Sequence, residues 1–149
     1  MLGRDWIAAH IPHQSSMCLL DAVTEWSPER IRCTSGSHRR PDNPLRAFGR
    51  LGSVCGIEYA AQAMAIHGAL LAAAADQLRQ GYLASVRGVD LPVERLDDID
   101  ADLDIEAERL SGDDNNILYR FEVRAAGRLL LRGRAAVILD AAALKGTRS

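Results

Sequence analysis

The feature that most constrains this chain is an apolar stretch, residues 53–75, in which Glu58 is the only charged side chain. Nine of its 23 residues are alanine, and the apolar positions fall on all sides of a helix rather than along one stripe. We therefore predict a helix that starts at the N-cap Ser53, ends at Arg79 just before Gly81, and is surrounded by protein. Because alanine contributes little to membrane insertion, a membrane span is not expected.

Strand patterns lie on both sides of this helix in the sequence. Asp100–Glu108 alternates apolar with acidic residues, and Ile117–Arg124 alternates apolar with mostly charged residues. The arginines of the second segment can lie across from the acidic face of the first, which favours antiparallel pairing. Further strands are predicted at residues 17–26, 31–35, 82–90 and 129–139.

The order of these elements is two strands, a long irregular segment at residues 36–52, the helix, and then three or four antiparallel strands. A sheet with a polar outer face must wrap its apolar face around the single helix, which is the α+β outline of a hotdog fold. Residues 1–149 are expected to form one domain, with 141–149 as a flexible tail. Open sheet edges and the exposed side of the helix favour a homodimer.

Composition narrows the classes of function. The formal net charge of −2 gives no global argument for nucleic-acid binding. The cysteines Cys18, Cys33 and Cys55 contain no CxxC pair, which suits a reducing compartment. The first residues also lack an apolar run long enough for a signal peptide. A cytoplasmic protein that binds neither membrane nor nucleic acid is therefore expected.

Glu58 is the strongest candidate for chemistry. No basic residue lies between Ser53 and Ala75, so no side chain nearby in the sequence neutralises it. A carboxylate buried without a partner is costly, and it must take up a proton or find hydrogen-bond donors elsewhere. Near a helix N-terminus, such a group is suited to proton transfer at neutral pH. The alternative is a capping glutamate that points to water.

The start of the helix is a second candidate. Ser53 to Gly56 are expected to offer unpaired backbone N–H groups at the positive end of the helix dipole, where a developing oxyanion could bind. Gly56 would let a substrate approach the backbone closely. Cys55 lies where a thiol can be activated, but we interpret it as a small packed residue.

The histidines and a basic loop complete the candidates. His10 and His13 are three residues apart, but no nearby carboxylate or cysteine completes a site, so no metal is expected. His67, on the helix, is interpreted as a packed or interface residue. The basic loop is either a solvated surface or a dock for a phosphopantetheine phosphate or an acidic carrier protein. It contains Arg39, Arg40, Arg46 and Arg50.

Four segments together resemble one known family. They are Ile11–His13, Met17–Asp21, Asp42–Leu45 and Gly56–Ala63. As a set they are similar to the hotdog-fold 3-hydroxyacyl-ACP dehydratases, and especially to the stand-alone dehydratases predicted in aryl-polyene-type clusters. The resemblance implies that water is removed from a 3-hydroxyacyl thioester to give the trans-2-enoyl thioester. It also implies that acyl carrier protein or coenzyme A carries the acyl chain on phosphopantetheine, with no other cofactor.

The resemblance implies roles for individual residues as well. Glu58 matches the acidic helix residue that handles the departing hydroxyl, and His13 matches the histidine of a Pro-His motif. Gln62 matches a glutamine that has a structural role near the site. The substrate is expected to contact Gly56, Ile57, Asn43 and Arg46.

One departure from the family leaves the function open. The loop histidine that takes the α-proton in the family is absent, because Asn43–Leu45 occupies its place. His13 could supply the base if the N-terminal segment folds over the site, and His38 is the weaker substitute. Two alternatives to a dehydratase therefore stay open. One is a hotdog acyl thioesterase that uses the helix carboxylate, and the other is a non-catalytic module that binds an acyl group or a carrier protein.

Overall fold

The chain is described here by a computed structural model that covers residues 2–10, 17–74, 81–113 and 115–139. Its strands are β1 (Leu2–Gly3), β2 (Ala22–Ser27), β3 (Arg30–Ser35), β4 (Gly81–Asp90), β5 (Leu103–Gly112), β6 (Asn116–Ala125) and β7 (Arg128–Leu139). Its helices are α1 (Arg4–His10) and α2 (Gly56–Ala74). The strands pair antiparallel in one sheet, in the order β1–β2–β3–β5–β6–β7–β4. The predicted α+β arrangement, an antiparallel sheet around one long helix, is confirmed.

α2 lies against the inner face of the sheet through one of its sides. On that side Ala60, Ala63 and Ile66 are buried, and the helix contacts β3, β5 and β6. The prediction that protein surrounds the helix is wrong for the single chain, because the sheet curls around one side only. The other side is a half-exposed strip of small residues. We call it the open strip, and it consists of Ala61, Ala65, Ala69 and Ala72.

The length and composition of this helix would also suit a membrane. The segment Ser53–Ala74 is long and apolar enough to cross one by those two criteria. In this fold, however, 50% of its most apolar window is buried inside the protein, so its apolar character is used in packing against the sheet. The predicted end of the helix at Arg79 lies outside the described residues.

The predicted pairing of β5 with β6 is confirmed. The inward-facing residues of both strands are buried, and the outward-facing residues carry the charges. Glu108 lies opposite Arg120, and Asp104 lies opposite Arg124. The alternation in the sequence therefore predicted both the buried face and the cross-strand charge pairs.

β2 starts later than predicted, because side chains bind the backbone of Met17 and Leu19 where a strand ladder was expected. The carbonyl of Leu19 accepts hydrogen bonds from the hydroxyls of Ser35 at 2.5 Å and Ser37 at 2.8 Å. The N–H of Leu19 donates to the Gln62 side chain at 2.9 Å. These partners satisfy backbone groups that strand pairing would otherwise have to satisfy.

Candidate active site

A 3₁₀ turn, Ser53–Cys55, precedes α2 and continues directly into it. Ser53 is not the N-cap: Gly52 takes that position, and no side chain caps the turn. The N–H of Ser53 donates instead to the carbonyl of Glu94 at 3.0 Å. The predicted cap is therefore wrong, because a contact distant in the sequence satisfies the backbone group that a cap would otherwise serve.

The backbone donors at this helix start are largely used by the fold itself. Besides the Ser53 N–H, that of Cys55 donates to Gly52 at 3.0 Å, and that of Gly56 donates to the Ser53 carbonyl. A helix start binds an anion through N–H groups that have no other partner. The prediction of free oxyanion donors is therefore wrong for these three residues.

Gly56 is the point of closest approach between α2 and β7. A Cβ atom placed on this buried glycine would lie 2.3 Å from Cδ2 of Leu131, so the missing side chain lets the helix pack on the sheet. Ile57 beside it is half-buried and packs against the core. The predicted contact of these two residues with substrate stays a prediction.

Glu58 lies in the first turn of α2, in line with the open strip. It is only partly buried, so the prediction of a fully enclosed carboxylate is wrong, for the same reason that the helix is not surrounded. It takes part in none of the ion pairs among the described residues. The structure therefore presents an accessible carboxylate that no described cation neutralises.

Cys55 lies one turn before Glu58. Its Sγ contacts the carbonyl of Leu45 at 3.9 Å. Burial and the nearby charge of Glu58 raise the pKa of this thiol, which keeps it protonated at neutral pH. The interpretation of Cys55 as a packed residue is therefore favoured over a thiolate nucleophile.

Tyr59, which the sequence analysis did not single out, organises the loop before α2. Its buried hydroxyl lies 2.8 Å from the Ser37 hydroxyl and accepts a hydrogen bond from the Asn43 amide at 3.0 Å. Asn43 also donates to the Ser37 carbonyl at 2.9 Å and accepts from the N–H of Leu45 at 2.8 Å. Both ends of the Asn43 side chain are thus engaged in holding the loop, and its contact with substrate stays a prediction.

The arginines of the basic loop are largely neutralised inside the chain. Arg39 pairs with Asp102, and Arg40 binds both carboxylate oxygens of Asp42 at 3.1 and 3.0 Å. Arg46 donates to two backbone carbonyls of the loop at 3.1 and 3.4 Å. Arg46 therefore braces the loop, and its predicted substrate contact stays a prediction.

Gln62 ties the segment that follows α1 to the central helix. Its buried side chain donates to the carbonyl of Met17 at 2.6 Å and accepts from the N–H of Leu19 at 2.9 Å. Arg4 adds a hydrogen bond to the carbonyl of Cys18 at 2.7 Å. His13, the predicted base, lies outside the described residues.

His38 and His67 are buried, and contacts within the fold hold both rings in place. His38 has its Nε2 3.0 Å from the carbonyl of Ile99, and burial lowers its pKa. His67 lies nine residues beyond Glu58, which is about 13 Å along a helix. Its two ring nitrogens contact the Tyr119 hydroxyl at 2.6 Å and the Ser27 carbonyl at 2.7 Å, which confirms it as a packed residue.

A cleft of about 310 Å³ opens beside the loop, and Arg4, Cys18, Asn43 and Pro44 are among the residues that line it. The loop position where the resembling family carries its histidine therefore borders this cleft, whereas Glu58 does not line it. Among the residues that the structure describes, no group of three or more histidine, cysteine or acidic side chains could hold a metal ion.

This curved antiparallel sheet around one long helix, with an isolated carboxylate in the first turn of the helix, defines a hotdog-fold protein. The sequence matches the ApeP-like family of ApeP dehydratases over residues 6–145. The chain therefore belongs to the ApeP-like dehydratase family. No curated protein sequence matches it.

Solved structures confirm the fold. The dehydratase heterocomplex ApeI:P from Xenorhabdus doucetiae contains a chain that is 22% identical with a TM-score of 0.81, and the match covers 100% of this chain and 99% of that one. A thioesterase from Pseudomonas aeruginosa is 10% identical with a TM-score of 0.67, covering 91% of each chain. A thioesterase from Haemophilus influenzae is 12% identical with a TM-score of 0.60, covering 89% of this chain and 81% of that one. The shared fold therefore serves proteins of different activity.

Proposed function

We propose that this dehydratase removes water from a 3-hydroxyacyl thioester, carried on the phosphopantetheine arm of acyl carrier protein, to give the trans-2-enoyl thioester. The observation that carries the proposal is Glu58, an accessible carboxylate without a described cation partner in a chain of the ApeP-like dehydratase family. The reaction is proposed to need no further cofactor and to take place in the cytoplasm.

The proposed role of Glu58 is to act on the leaving hydroxyl. A base removes the proton from the α-carbon, and the electron pair of that C–H bond becomes the new carbon–carbon double bond. The bond between the β-carbon and its hydroxyl breaks, and the hydroxyl takes a proton from the carboxylic acid form of Glu58 and departs as water. The Glu58 carboxylate left behind takes up a proton again before the next turnover, while the base releases the α-proton. Such general acid catalysis contributes about 10²–10⁴-fold to a rate.

The base is proposed to come from His13 or from a second subunit. The loop position of the family histidine, at Asn43–Leu45, borders a cleft that Glu58 does not line. A base at this loop position would therefore meet Glu58 more readily if the two groups came from different subunits. A second subunit has a surface to pack on, because β4 pairs only with β7 among the described residues and the open strip of α2 lies beside it.

The second subunit is either another copy of this chain, as the homodimer prediction has it, or a different dehydratase chain. The Xenorhabdus doucetiae structure is a heterocomplex, which supports the second choice. Light scattering of this chain alone, and of the chain purified together with a second dehydratase subunit that carries the loop histidine, would distinguish the two. A chain that stays monomeric in both preparations would contradict a shared site.

The proposed reaction is tested with 3-hydroxyacyl carrier protein of several chain lengths, and enoyl product is followed by mass. We expect Glu58→Gln to lower kcat/KM by about 100-fold or more, because the proton donor is lost. Glu94→Gln, which removes the same charge from an exposed position, should keep the wild-type rate. No turnover by the wild-type chain, alone and with a second subunit, would contradict the proposal.

The same proteins and thioester substrates also test two other functions. Free thiol released from an acyl thioester, and lost in Glu58→Ala, would indicate a thioesterase, an activity that the fold also serves. Binding of acyl-pantetheine without chemistry, unchanged in Glu58→Gln, would indicate a non-catalytic binding module. Membership of a dehydratase family favours dehydration over both.

A further inference from the structure

Three arginines stand side by side on the outer face of the sheet, one on each of three neighbouring strands. Arg120 of β6 lies directly opposite Arg134 of β7, and Arg134 lies directly opposite Arg87 of β4. All three side chains are exposed, and the residues on either side of Arg120 and Arg134 are buried on the inner face of the sheet. We call these three residues the arginine row.

Repulsion between the neighbouring guanidinium groups of the arginine row destabilises the sheet, and contacts within the described chain offset only part of this repulsion. Like charges directly opposite each other on paired strands destabilise a sheet. Arg120 is neutralised by Glu108. Arg87 and Arg134, in contrast, take part in none of the ion pairs among the described residues. An anionic group from outside the chain would remove this repulsion.

The arginine row borders an open depression of about 760 Å³. Small residues, among them Ser85, Gly88 and Ala136, form its floor, and Arg132 adds a fourth guanidinium that pairs with Asp90 at 2.9 Å. Arg132 and Arg120 have acidic partners, so Arg87 and Arg134 make this surface positive, although the net charge of the chain is −2. A water molecule occupies about 30 Å³, and a phosphate ion is only a few times larger. One phosphate ion would therefore leave most of the depression empty. A larger anionic partner fits better.

The spacing of the arginine row matches the carboxylates of an acidic helix. Neighbouring strands lie about 4.8 Å apart, which sets the interval between the three arginines. Side chains one turn apart on a helix are separated by about 5.4 Å. A helix that lies across these strands could therefore bring carboxylates to the guanidinium groups of Arg87 and Arg134 and form charge-assisted hydrogen bonds.

We propose that the arginine row is the surface on which an acidic helix of the acyl carrier protein docks, a proposal that rests on the proposed function. Its place in the fold suits that role. Leu131, on the inner face of β7, packs against Gly56 at the start of α2. Arg132 and Arg134 follow Leu131 on the outer face, so the docking surface lies on the strand that packs against the start of α2.

The arginine row replaces the basic loop as the docking surface expected from the sequence. Arg39 and Arg40 of that loop already have carboxylate partners, and Arg46 is committed to backbone carbonyls. An acidic partner would have to displace these contacts in the loop. On the row it meets two guanidinium groups, those of Arg87 and Arg134, that have no described carboxylate to give up.

The proposal is tested on the full chain with a matched pair of variants on β7. Arg134→Glu should weaken binding of 3-hydroxyacyl carrier protein, measured by fluorescence anisotropy, about tenfold, and should raise KM for that substrate with kcat kept. Arg128→Glu, the same change at another exposed position of β7, should bind as the wild type does. Turnover of a short 3-hydroxyacyl-pantetheine thioester should be equal in all three proteins.

The outcomes separate docking from chemistry. If no protein turns over either substrate, the proposed function fails, whereas the binding measurement still reports on the arginine row. Wild-type binding by Arg134→Glu would overturn the docking proposal, and so would an equal loss in Arg128→Glu or a loss confined to Arg50→Glu in the basic loop. If Arg134→Glu changed only the binding of inorganic phosphate or coenzyme A, a small-anion site would replace the proposal.

Discussion

Phe48 forms the tip of a two-residue turn between Ala47 and Arg50, whose N–H groups and carbonyls bond to each other at 2.9 and 3.0 Å. Its side chain is fully exposed and its φ is +54°, followed by +74° at Gly49. Two successive positive φ angles define the turn that asparagine followed by glycine adopts most easily. A bulky residue at such an angle is strained and gains no burial in return.

We therefore expect Phe48→Asn to stabilise the chain by about 0.5–1 kcal/mol, because asparagine tolerates the left-handed conformation. Thermal unfolding should show a midpoint about 1–4 °C higher. Phe48→Ala serves as the control, because it removes the aromatic ring but keeps a residue that is disfavoured at this angle. If both variants gain equally, the ring and not the backbone angle is the cause.

At the same scale, the sequence revealed Glu58 more readily than Tyr59. The isolation of Glu58 is a local property, because it depends on the absence of basic residues within the same helix. Tyr59 acts through Ser37 and Asn43, which lie in the loop more than a dozen positions earlier. No periodicity connects residues so far apart, so only the folded chain shows that the tyrosine hydroxyl holds the loop beside the site.

At the scale of elements, the contact between α2 and β7 depends on a glycine that its helical conformation does not require. Gly56 has a φ of −61°, which any residue adopts, yet a Cβ atom there would lie 2.3 Å from Leu131. Gly68 in the same helix has no atom within 4 Å of its Cβ position. The two glycines therefore form a matched pair, one in contact with the sheet and one open.

We expect Gly56→Ala to destabilise the chain by about 1–3 kcal/mol, as overpacking in a core does. Gly68→Ala should stabilise it by about 0.5–1 kcal/mol through helix propensity. Urea unfolding measures both changes. Adding Leu131→Val to Gly56→Ala should recover part of the loss, because the clashing atoms move away. If Gly56→Ala is as stable as Gly68→Ala, close packing is not the reason for the glycine.

Elements were predicted well where the pattern is local and poorly where distant partners decide. The alternation along β5 and β6 specified their buried faces and their cross-strand charges, since each strand buries only one face. Residues 17–20 also carry an apolar pattern, but Ser35, Ser37 and Gln62 bind the backbone of Leu19 outside the strand ladder. The start of β2 and the cap of α2 were predicted wrongly because partners distant in the sequence determine both.

At the scale of the whole molecule, the described chain has two separate surfaces that are not used in its own packing. Glu58 and the open strip of α2 face one way, beside the unpaired edge of β4. The arginine row faces the other way, on the outside of the same strands. A second subunit and a carrier protein could therefore bind the same chain together, because they use opposite faces of the sheet.

The stability of the molecule should also depend on pH through His38 and His67, which are both buried in the described part of the chain. Burial lowers the pKa of both His38 and His67 below the ordinary value of 6.5. The Nε2 of His67 must donate to the Ser27 carbonyl, so its Nδ1 accepts from the Tyr119 hydroxyl, which requires a neutral ring. Near pH 6.5, therefore, these histidines are partly protonated in the unfolded chain but stay neutral in the folded chain.

It follows that the stability contributed by these rings is fully present above about pH 7 and is lost as the pH falls through 6.5 toward the lower folded pKa values. The loss should reach up to about 1.4 kcal/mol per pH unit for each histidine. Urea unfolding between pH 5 and 8 measures this slope, which should become shallower in His67→Gln and in His38→Gln whatever their absolute stability. A wild-type slope in both buried variants would mean that other groups control the acid sensitivity of the fold.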